Sequence, residues 1–233
     1  MKTIILCGGL GTRISEETVK KPKPMVKVGK IPIIEHILNI YIKHGFNEFI
    51  LATGYKNKII KNYFKSKKLN AKIKCIYTGK KTLTGGRIKR LKNFFNNDED
   101  FMVTYGDGIS DVNIKKLVKY HKTHKKIATM TIIHPPARFG EVIINKKCDL
   151  KKFEEKPQVK QGWINGGFFV FNSKIFKYIK GDLTMLEREP IKKLLNKNQI
   201  KAFKHESFWK CMDTLRDKIQ LDEMIKNKNT PWI

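Results

Sequence analysis

The strongest constraint on the fold is an alternation of strand-like and helix-like segments through the first 135 residues. Short apolar runs predict strands, and segments with apolar positions at helical spacing follow them. The predicted strands are residues 3–7, 49–53, 71–77, 101–105 and 127–134, and the predicted helices are residues 32–43, 57–65, 88–95 and 112–124. Strands joined through helices pair in parallel by right-handed crossovers, which places helices on both faces of the sheet. We therefore predict a Rossmann-like, doubly wound α/β fold with a mostly parallel sheet.

The second half of the chain has a different pattern. Residues 140–144 and 150–154 flank the turn-like Asn145-Lys146-Lys147 and predict a β-hairpin, and residues 164–171 predict another strand. Helices are expected at residues 186–195 and 215–225. With no repeat or linker between the halves, we predict one domain, residues 1–233, in which 136–233 form a small β-rich region with C-terminal helices.

Composition limits the cellular setting. A chain of 233 residues with 40% hydrophobic content can bury one sizeable core. It has no run of about 18 apolar residues, and Met1 leads directly into a strand, so we expect a soluble cytoplasmic protein without a membrane partner. Cys7, Cys75, Cys148 and Cys211 are far apart, which indicates free thiols rather than a zinc site or a disulfide framework.

The formal net charge of +28 raises the possibility of nucleic-acid binding. Only six of the 49 basic residues are arginine, however, and arginine is the preferred reader of bases and phosphates. The lysines are spread along the whole chain rather than clustered. This distribution favours a solvated basic surface that attracts anionic substrates, with no nucleic-acid partner. We also expect a homo-oligomer.

A glycine loop follows the first strand directly, as Leu6-Cys7-Gly8-Gly9-Leu10-Gly11-Thr12-Arg13. Open α/β sheets bind ligands at the carboxyl ends of their strands, and glycines allow the backbone to approach phosphates closely. Arg13 adds a cation that can bind phosphate in a bidentate manner. A plain tight turn is the alternative, because the pattern is neither GxGxxG nor a P-loop.

A second phosphate-binding candidate is Lys23. It lies in Lys21-Pro22-Lys23-Pro24-Met25, where two prolines restrict the backbone and therefore the direction of the lysine. A rigidly directed ammonium is suited to holding a phosphate.

These two segments together resemble the signature of the sugar-1-phosphate nucleotidyltransferases, a GGxGTR loop followed by a KPKPM-type segment. Within this family the chain is most similar to the glucose-1-phosphate cytidylyltransferase subgroup. The similarity continues in order through further blocks, which are Ser15-Glu16-Glu17-Thr18, residues 84–90, Thr104-Tyr105-Gly106-Asp107-Gly108, Asp111, residues 163–168, residues 185–190 and residues 208–217. The resemblance thus covers nearly the whole chain.

The resemblance implies a magnesium-dependent enzyme with a nucleotide-binding half, residues 1–135, and a sugar-phosphate-binding half. Arg13, Lys23 and Asp107 are the expected catalytic residues, and Asp107 and Asp213 are the expected Mg²⁺ ligands. A helix cap is the alternative role for Asp213, because Thr214 begins a helical pattern. The expected nucleotide-binding residues are Leu6, Gly8, Gly9, Gly11, Thr12, Arg13, Lys23, Thr82, Gly86, Arg87 and Asp107.

For the acceptor, the resemblance implies that Glu155, Lys156, Asn165 and Gly166 bind the sugar phosphate. The expected substrates are CTP and a sugar 1-phosphate, with α-D-glucose 1-phosphate favoured, and the products are a CDP-sugar and pyrophosphate. Residues 65–81 form a shorter segment than is expected of the subgroup, which leaves open a different nucleotide or a different phosphorylated acceptor. A non-catalytic nucleotide sensor or nucleic-acid binder is the third hypothesis.

Overall fold

The computed structural model describes residues 1–135, 141–146, 148–154 and 162–233. Within them the strands are β1 (Thr3–Cys7), β2 (Lys27–Val28), β3 (Ile31–Pro32), β4 (Glu48–Thr53), β5 (Lys72–Tyr77), β6 (Asp100–Tyr105), β7 (Gly108–Ser110), β8 (Ala128–Ile133), β9 (Glu141–Ile144), β10 (Leu150–Glu154), β11 (Ile164–Asn172), β12 (Ile200–His205) and β13 (Trp209–Cys211). The α-helices are α1 (Ser15–Thr18), α2 (Ile33–Lys43), α3 (Asn57–Ser66), α4 (Thr84–Arg90), α5 (Ile114–His124), α6 (Glu189–Asn196) and α7 (Leu215–Lys226).

Seven of these strands form one sheet in the order β5-β4-β1-β6-β11-β8-β12. The first four strands in this order are parallel to one another, and β8 is parallel to β12. β11 lies between β6 and β8 and is antiparallel to both. The prediction of a mostly parallel, doubly wound α/β fold is confirmed. The second half adds strands to the same sheet, in addition to the predicted β9–β10 hairpin.

Alternation along the strands divides the core into two layers, because successive side chains of a strand point to opposite faces. On β11, Phe168 and Val170 join one cluster and Phe169 and Phe171 join the other. Helices α2, α3, α5 and α7 contribute to the first cluster, while α4 and α6 contribute to the second. The sheet is therefore covered on both faces, as a doubly wound fold requires.

The carboxyl ends of the parallel strands meet at one edge of the sheet. β1 ends at Cys7 and β6 ends at Tyr105 at this edge. Because β11 runs in the opposite direction, it begins here, at Ile164. The two-stranded β7–β13 sheet follows β6 directly and brings Cys211 opposite Gly108. Four distant parts of the sequence thus come together at this edge.

Two helices have boundaries that differ from the prediction by more than two residues. The helix expected at residues 88–95 begins at Thr84 and ends at Arg90, and a 3₁₀ turn follows at Lys92–Phe94. Glycines are poor helix formers, but Gly86 is held in α4 by the hydrogen bond from its N–H to the carbonyl of Thr184, 3.1 Å away. The helix expected at residues 186–195 begins at Glu189.

β12 was not predicted, because its residues 200–205 mix lysine and histidine with apolar residues and are only partly buried. Its partner β8 stabilises it through a parallel ladder. Among the helices of the described residues, none combines the length and hydropathy that a membrane crossing needs.

Candidate active site

A cleft of about 510 Å³ opens at the edge where the parallel strands end. The glycine loop after β1 forms one wall, and the starts of α4 and β11 form others. Most residues that the sequence singled out line this cleft, namely Leu6, Gly8, Gly9, Gly11, Thr12, Arg13, Lys23, Thr82, Arg87, Asp107, Asn165, Gly166 and Asp213. Residues up to 207 positions apart in the chain therefore share one site.

The glycine loop depends on two of its glycines for its shape. Gly11 has φ of +70°, a left-handed conformation that glycine adopts without a steric penalty. Its carbonyl accepts a hydrogen bond of 3.0 Å from the hydroxyl of Thr18. A Cβ atom added to Gly8 would lie 2.1 Å from the guanidinium of Arg87. The loop is therefore folded around a specific side chain and is more than a plain tight turn.

Arg87 is buried, with only 4% of its surface exposed. Its Nη2 donates to the carbonyl of Gly8 at 2.8 Å, and its Nη1 donates to the carbonyl of Gly79 at 2.7 Å and to the hydroxyl of Thr78 at 2.8 Å. Burial lowers the pKa of the guanidinium, and these acceptors hold the group in its charged form. Arg87 thus joins the loop after β1 to the end of β5, besides lining the cleft.

Two carboxylates and two cations form a cluster at the mouth of the loop. Lys23 Nζ lies 2.5 Å from Asp107 Oδ2 and 2.6 Å from Asp213 Oδ1. Arg13 donates to the other carboxylate oxygen of Asp213. Because both aspartates contact the same nitrogen, their carboxylates are close enough to reach a common ion. The described residues contain no group of three or more histidine, cysteine, aspartate and glutamate side chains arranged for a metal.

The position of Asp213 follows from the β7–β13 sheet. The N–H of Met212 donates to the carbonyl of Asp107 at 2.8 Å, which fixes the two segments together. Thr214, rather than Asp213, is the N-cap of α7, through a capping box with Asp217. The carboxylate of Asp213 is therefore not used for capping and instead faces Lys23 and Arg13.

The cluster changes the protonation of its neighbours. Burial acts to lower the pKa of Lys23, but the negative charges of Asp107 and Asp213 outweigh it and raise this pKa above 10.5. Burial and the same two carboxylates raise the pKa of the Cys211 thiol to about 12. At neutral pH the site therefore has a charged ammonium, while Cys211 is a neutral thiol and a poor nucleophile.

The other end of the cleft is formed by Tyr105, Asn165 and Trp209. The side-chain amide of Asn165 donates to the Tyr105 hydroxyl at 3.2 Å, and the Trp209 indole donates to the carbonyl of Gly166 at 2.7 Å. Gly167 has φ of +80°, and a Cβ there would lie 2.6 Å from the Tyr105 ring. This end presents hydroxyl and amide groups, which are suited to recognising a polyol.

Three of the sequence candidates are not among the described residues that line the cleft. Gly86 is not among the lining residues, because it packs against the backbone of Asp182, where an added Cβ would lie 2.3 Å from the carbonyl oxygen. Glu155 and Lys156 lie outside the described residues. The sequence indicated no role for Tyr105 or Trp209, although both belong to motif blocks beside Asp107 and Asp213, and that proximity was the available signal.

The fold and the site define an α/β protein that can hold a phosphorylated ligand between a glycine loop and paired carboxylates. The chain belongs to the nucleotidyl transferase family, whose model matches residues 2–214. It is 41% identical to a glucose-1-phosphate cytidylyltransferase of Salmonella typhimurium, across 100% of this chain and 98% of that protein. The aligned stretch is 254 residues long against 233 in this chain, so the Salmonella protein has residues without a counterpart here.

The similarity extends to a guanylyltransferase and to a solved structure. A D-glycero-alpha-D-manno-heptose 1-phosphate guanylyltransferase of Campylobacter jejuni is 35% identical, across 85% of this chain and 86% of that protein. The solved structure of HddC from Yersinia pseudotuberculosis complexed with GMP-PN matches with a TM-score of 0.75 at 24% identity and covers 96% of this chain and 99% of that one. The structural match supports the fold.

Proposed function

We propose that this protein transfers the cytidylyl group of CTP to glucose 1-phosphate, giving CDP-glucose and pyrophosphate. The observation that carries the reaction type is the contact of Lys23 with both Asp107 and Asp213 beside the glycine loop. The full-length similarity to a glucose-1-phosphate cytidylyltransferase supports the choice of substrates.

The reaction needs no nucleophilic side chain. A phosphate oxygen of glucose 1-phosphate attacks the α-phosphorus of CTP in line, the bond to the β-phosphate breaks, and pyrophosphate leaves with the bonding electrons. Lys23 has three N–H donors, of which two point to Asp107 and Asp213, so one remains for a phosphate oxygen. Arg13 is exposed and retains further donors for the triphosphate. The two cations neutralise the charge that develops on the phosphates.

The donor set at Asp107 and Asp213 fits a divalent cation. Mg²⁺ prefers oxygen ligands, and it is often held by one or two carboxylates together with the phosphates of a substrate. Two carboxylates that share one lysine match this requirement. A site formed only by protein ligands would need more oxygen ligands than these two carboxylates supply. We infer that Asp107 and Asp213 hold Mg²⁺. When bound, this ion would neutralise phosphate charge and orient the triphosphate.

At the acceptor end we propose that Asn165 and Gly166, with Glu155 and Lys156, bind the sugar phosphate. Asn165 and Tyr105 supply hydrogen-bonding groups for hydroxyls. We further propose a cytoplasmic homo-oligomer without nucleic-acid or membrane partners. The free cysteines of the described residues suit a reducing compartment, and exposed apolar side chains such as Ile219 and Leu195 offer surface for self-association, which sedimentation velocity would measure.

A second candidate is transfer from another nucleoside triphosphate or to another acceptor. The 35% identity with the heptose 1-phosphate guanylyltransferase favours it, because that relative is named for a guanylyl group and a different phosphorylated sugar. We propose that the part of the cleft around Thr82 and Leu83 contacts the base, so the two candidates would differ there.

Pyrophosphate release with each of the four nucleoside triphosphates, paired with several sugar 1-phosphates and Mg²⁺, tests both candidates. We expect turnover with CTP and glucose 1-phosphate to exceed every other pair by at least about tenfold. In the Asp107→Asn variant we expect kcat/KM to fall by about 10²–10³, the range for removal of a group that stabilises charge in the transition state.

Asp98→Asn is the matched control. Asp98 is exposed, pairs with Lys174 at 2.5 Å and has φ of +57°, which asparagine tolerates, so this variant should keep parental activity. Preference for GTP would favour the second candidate. Equal turnover by parent and Asp107→Asn would contradict the assignment of the site.

A further inference from the structure

Glu187 accepts two hydrogen bonds at the rim of the cleft, although nothing in the sequence motifs assigns it a role. It lies just before α6, and its carboxylate is exposed to solvent. One carboxylate oxygen accepts from the Tyr105 hydroxyl, and the other accepts from the Thr84 hydroxyl at 2.7 Å. Glu187 therefore connects the acceptor end of the cleft with the first residue of α4.

Two backbone N–H groups fix the direction of every hydrogen bond in this network. The N–H of Gly167 donates at 2.8 Å to Asn165, so the atom of Asn165 that faces it is the amide oxygen. The amide nitrogen of Asn165 then faces Tyr105, whose oxygen must accept. The proton of Tyr105 is left for Glu187, since an ionised carboxylate only accepts.

The hydroxyl of Thr84 is oriented in the same way on the other side of Glu187. The N–H of Leu186 donates to the Thr84 hydroxyl oxygen at 2.9 Å, so the Thr84 proton also goes to Glu187. Glu187 thus accepts the hydrogen bonds that both hydroxyls, of Tyr105 and of Thr84, donate. Tyr105 has already used its only proton, and one lone pair of its oxygen remains for a ligand.

Packing keeps the Tyr105 ring, and with it the hydroxyl oxygen, in a fixed position. The ring lies against Gly167, where even a Cβ would be too close, and it makes an edge contact with Phe169 at 5.9 Å between ring centres. The hydroxyl is held in one place with one polarity.

We propose that Glu187 is a positioning residue for selection of the acceptor. It engages the Tyr105 proton, so the Tyr105 oxygen accepts a hydrogen bond from a hydroxyl of the acceptor sugar and does not donate one to it. This inference rests on the proposed function, because the sugar 1-phosphate is the ligand that it selects. Without Glu187 the Tyr105 proton can point into the cleft, where it no longer matches a donating hydroxyl.

The test is a double-mutant cycle with Glu187→Ala and Tyr105→Phe. For Glu187→Ala we expect the KM for glucose 1-phosphate to rise about tenfold, the usual effect of one lost or mismatched hydrogen bond, and the KM for CTP to change less than about twofold. In the Tyr105→Phe background the same substitution should have almost no further effect, because Glu187 acts through the hydroxyl. Glu187→Gln should restore part of the affinity, since its amide oxygen can still accept.

Glu189→Ala is the control, because Glu189 lies on the same segment but pairs with Lys180 and Lys193 at 3.1 and 3.0 Å. It should leave both KM values unchanged. The set of monodeoxy glucose 1-phosphates adds a specificity readout. The parent should discriminate against one of them by about tenfold, and Glu187→Ala should lose most of that discrimination.

Three results would overturn the inference. They are an unchanged acceptor KM in Glu187→Ala, an equal rise of both KM values, and an effect of the same size with and without the Tyr105 hydroxyl. Titration calorimetry of glucose 1-phosphate on the same four proteins measures the cycle without turnover. A parent that binds the sugar phosphate but releases no pyrophosphate from CTP would contradict the proposed function, while the binding cycle would still decide the role of Glu187.

Discussion

At the scale of single residues, Arg87 connects separate loops of the cleft. Its guanidinium donates to backbone carbonyls of Gly8 and Gly79, and more weakly to that of Thr53 at 3.3 Å. These residues follow or end β1, β5 and β4, which are neighbouring parallel strands of the sheet. A planar fork with five donors can satisfy several carbonyls at fixed angles, which an ammonium cannot do.

We therefore expect Arg87→Lys to lower the free energy of unfolding by about 2 kcal/mol, since buried carbonyls lose their donors. The KM for CTP should rise several-fold because the glycine loop loses its anchor. Urea denaturation and steady-state kinetics measure the two effects. The control is Arg90→Lys, three residues along the same helix, where the exposed pair with Asp182 should matter much less. If both variants behaved alike, the anchoring role of Arg87 would be wrong.

The family resemblance implied Arg87 as a nucleotide-binding residue, and the structure has it among the residues that line the cleft. Sequence gave no information on where the guanidinium points, because this depends on carbonyls from three other segments. Asp107 and Asp213 were easier to identify as candidates from the sequence, because each lies in a motif block of the family that the chain resembles. Their contact with Lys23 requires only that the β7–β13 sheet brings them together.

At the scale of elements, periodicity predicted most strands and helices to within two residues. It did not predict that β11 would lie between β6 and β8, because strand partners are chosen by long-range pairing rather than by local pattern. This antiparallel insertion matters for the site. It brings Asn165 and Gly166 to the edge where the parallel strands end.

The start of β6 offers a test of how the edge opposite the cleft is stabilised. Glu99 precedes β6 and contacts Lys2, which lies just before β1, at a distance of 2.7 Å. Burial acts to raise the pKa of Glu99, but the Lys2 ammonium and the N–H of Asn96 outweigh it and lower this pKa below 4.5. A depressed carboxyl pKa contributes stability above the unfolded-state pKa, and this contribution is lost as pH falls through the folded-state value.

For Glu99→Gln we expect a loss of less than about 1 kcal/mol at pH 7, because the pair is partly screened by solvent. The difference from the parent should shrink as the pH falls below 4.5. Urea denaturation at several pH values between 7 and 3 measures it. Glu48→Gln is the control, since Glu48 lies 3.9 Å from Lys72 in an exposed pair and should show a smaller effect throughout. A difference that grew on acidification would contradict the pairing.

At the scale of the whole molecule, the net charge of +28 is the feature that most affects encounters with other charged molecules. Many lysines occupy exposed positions of helices, as in α3 and α5, and some pair with nearby carboxylates. The proposed substrates are both strongly anionic. A positive surface raises their local concentration and their rate of encounter with the cleft, and salt screens this attraction.

We expect kcat/KM for CTP to fall about three- to tenfold as sodium chloride rises from about 0.05 to 0.5 M, over which the screening length shortens to a few ångströms. kcat should change little, because the contacts of Lys23 with Asp107 and Asp213 are partly buried and resist screening. Potassium acetate in place of sodium chloride should give the same dependence on ionic strength. Micromolar duplex DNA should leave kcat/KM unchanged if the lysines serve small anions. Strong inhibition by DNA, relieved by salt, would instead assign the basic surface to a nucleic acid, because displacement of counterions gives that steep dependence.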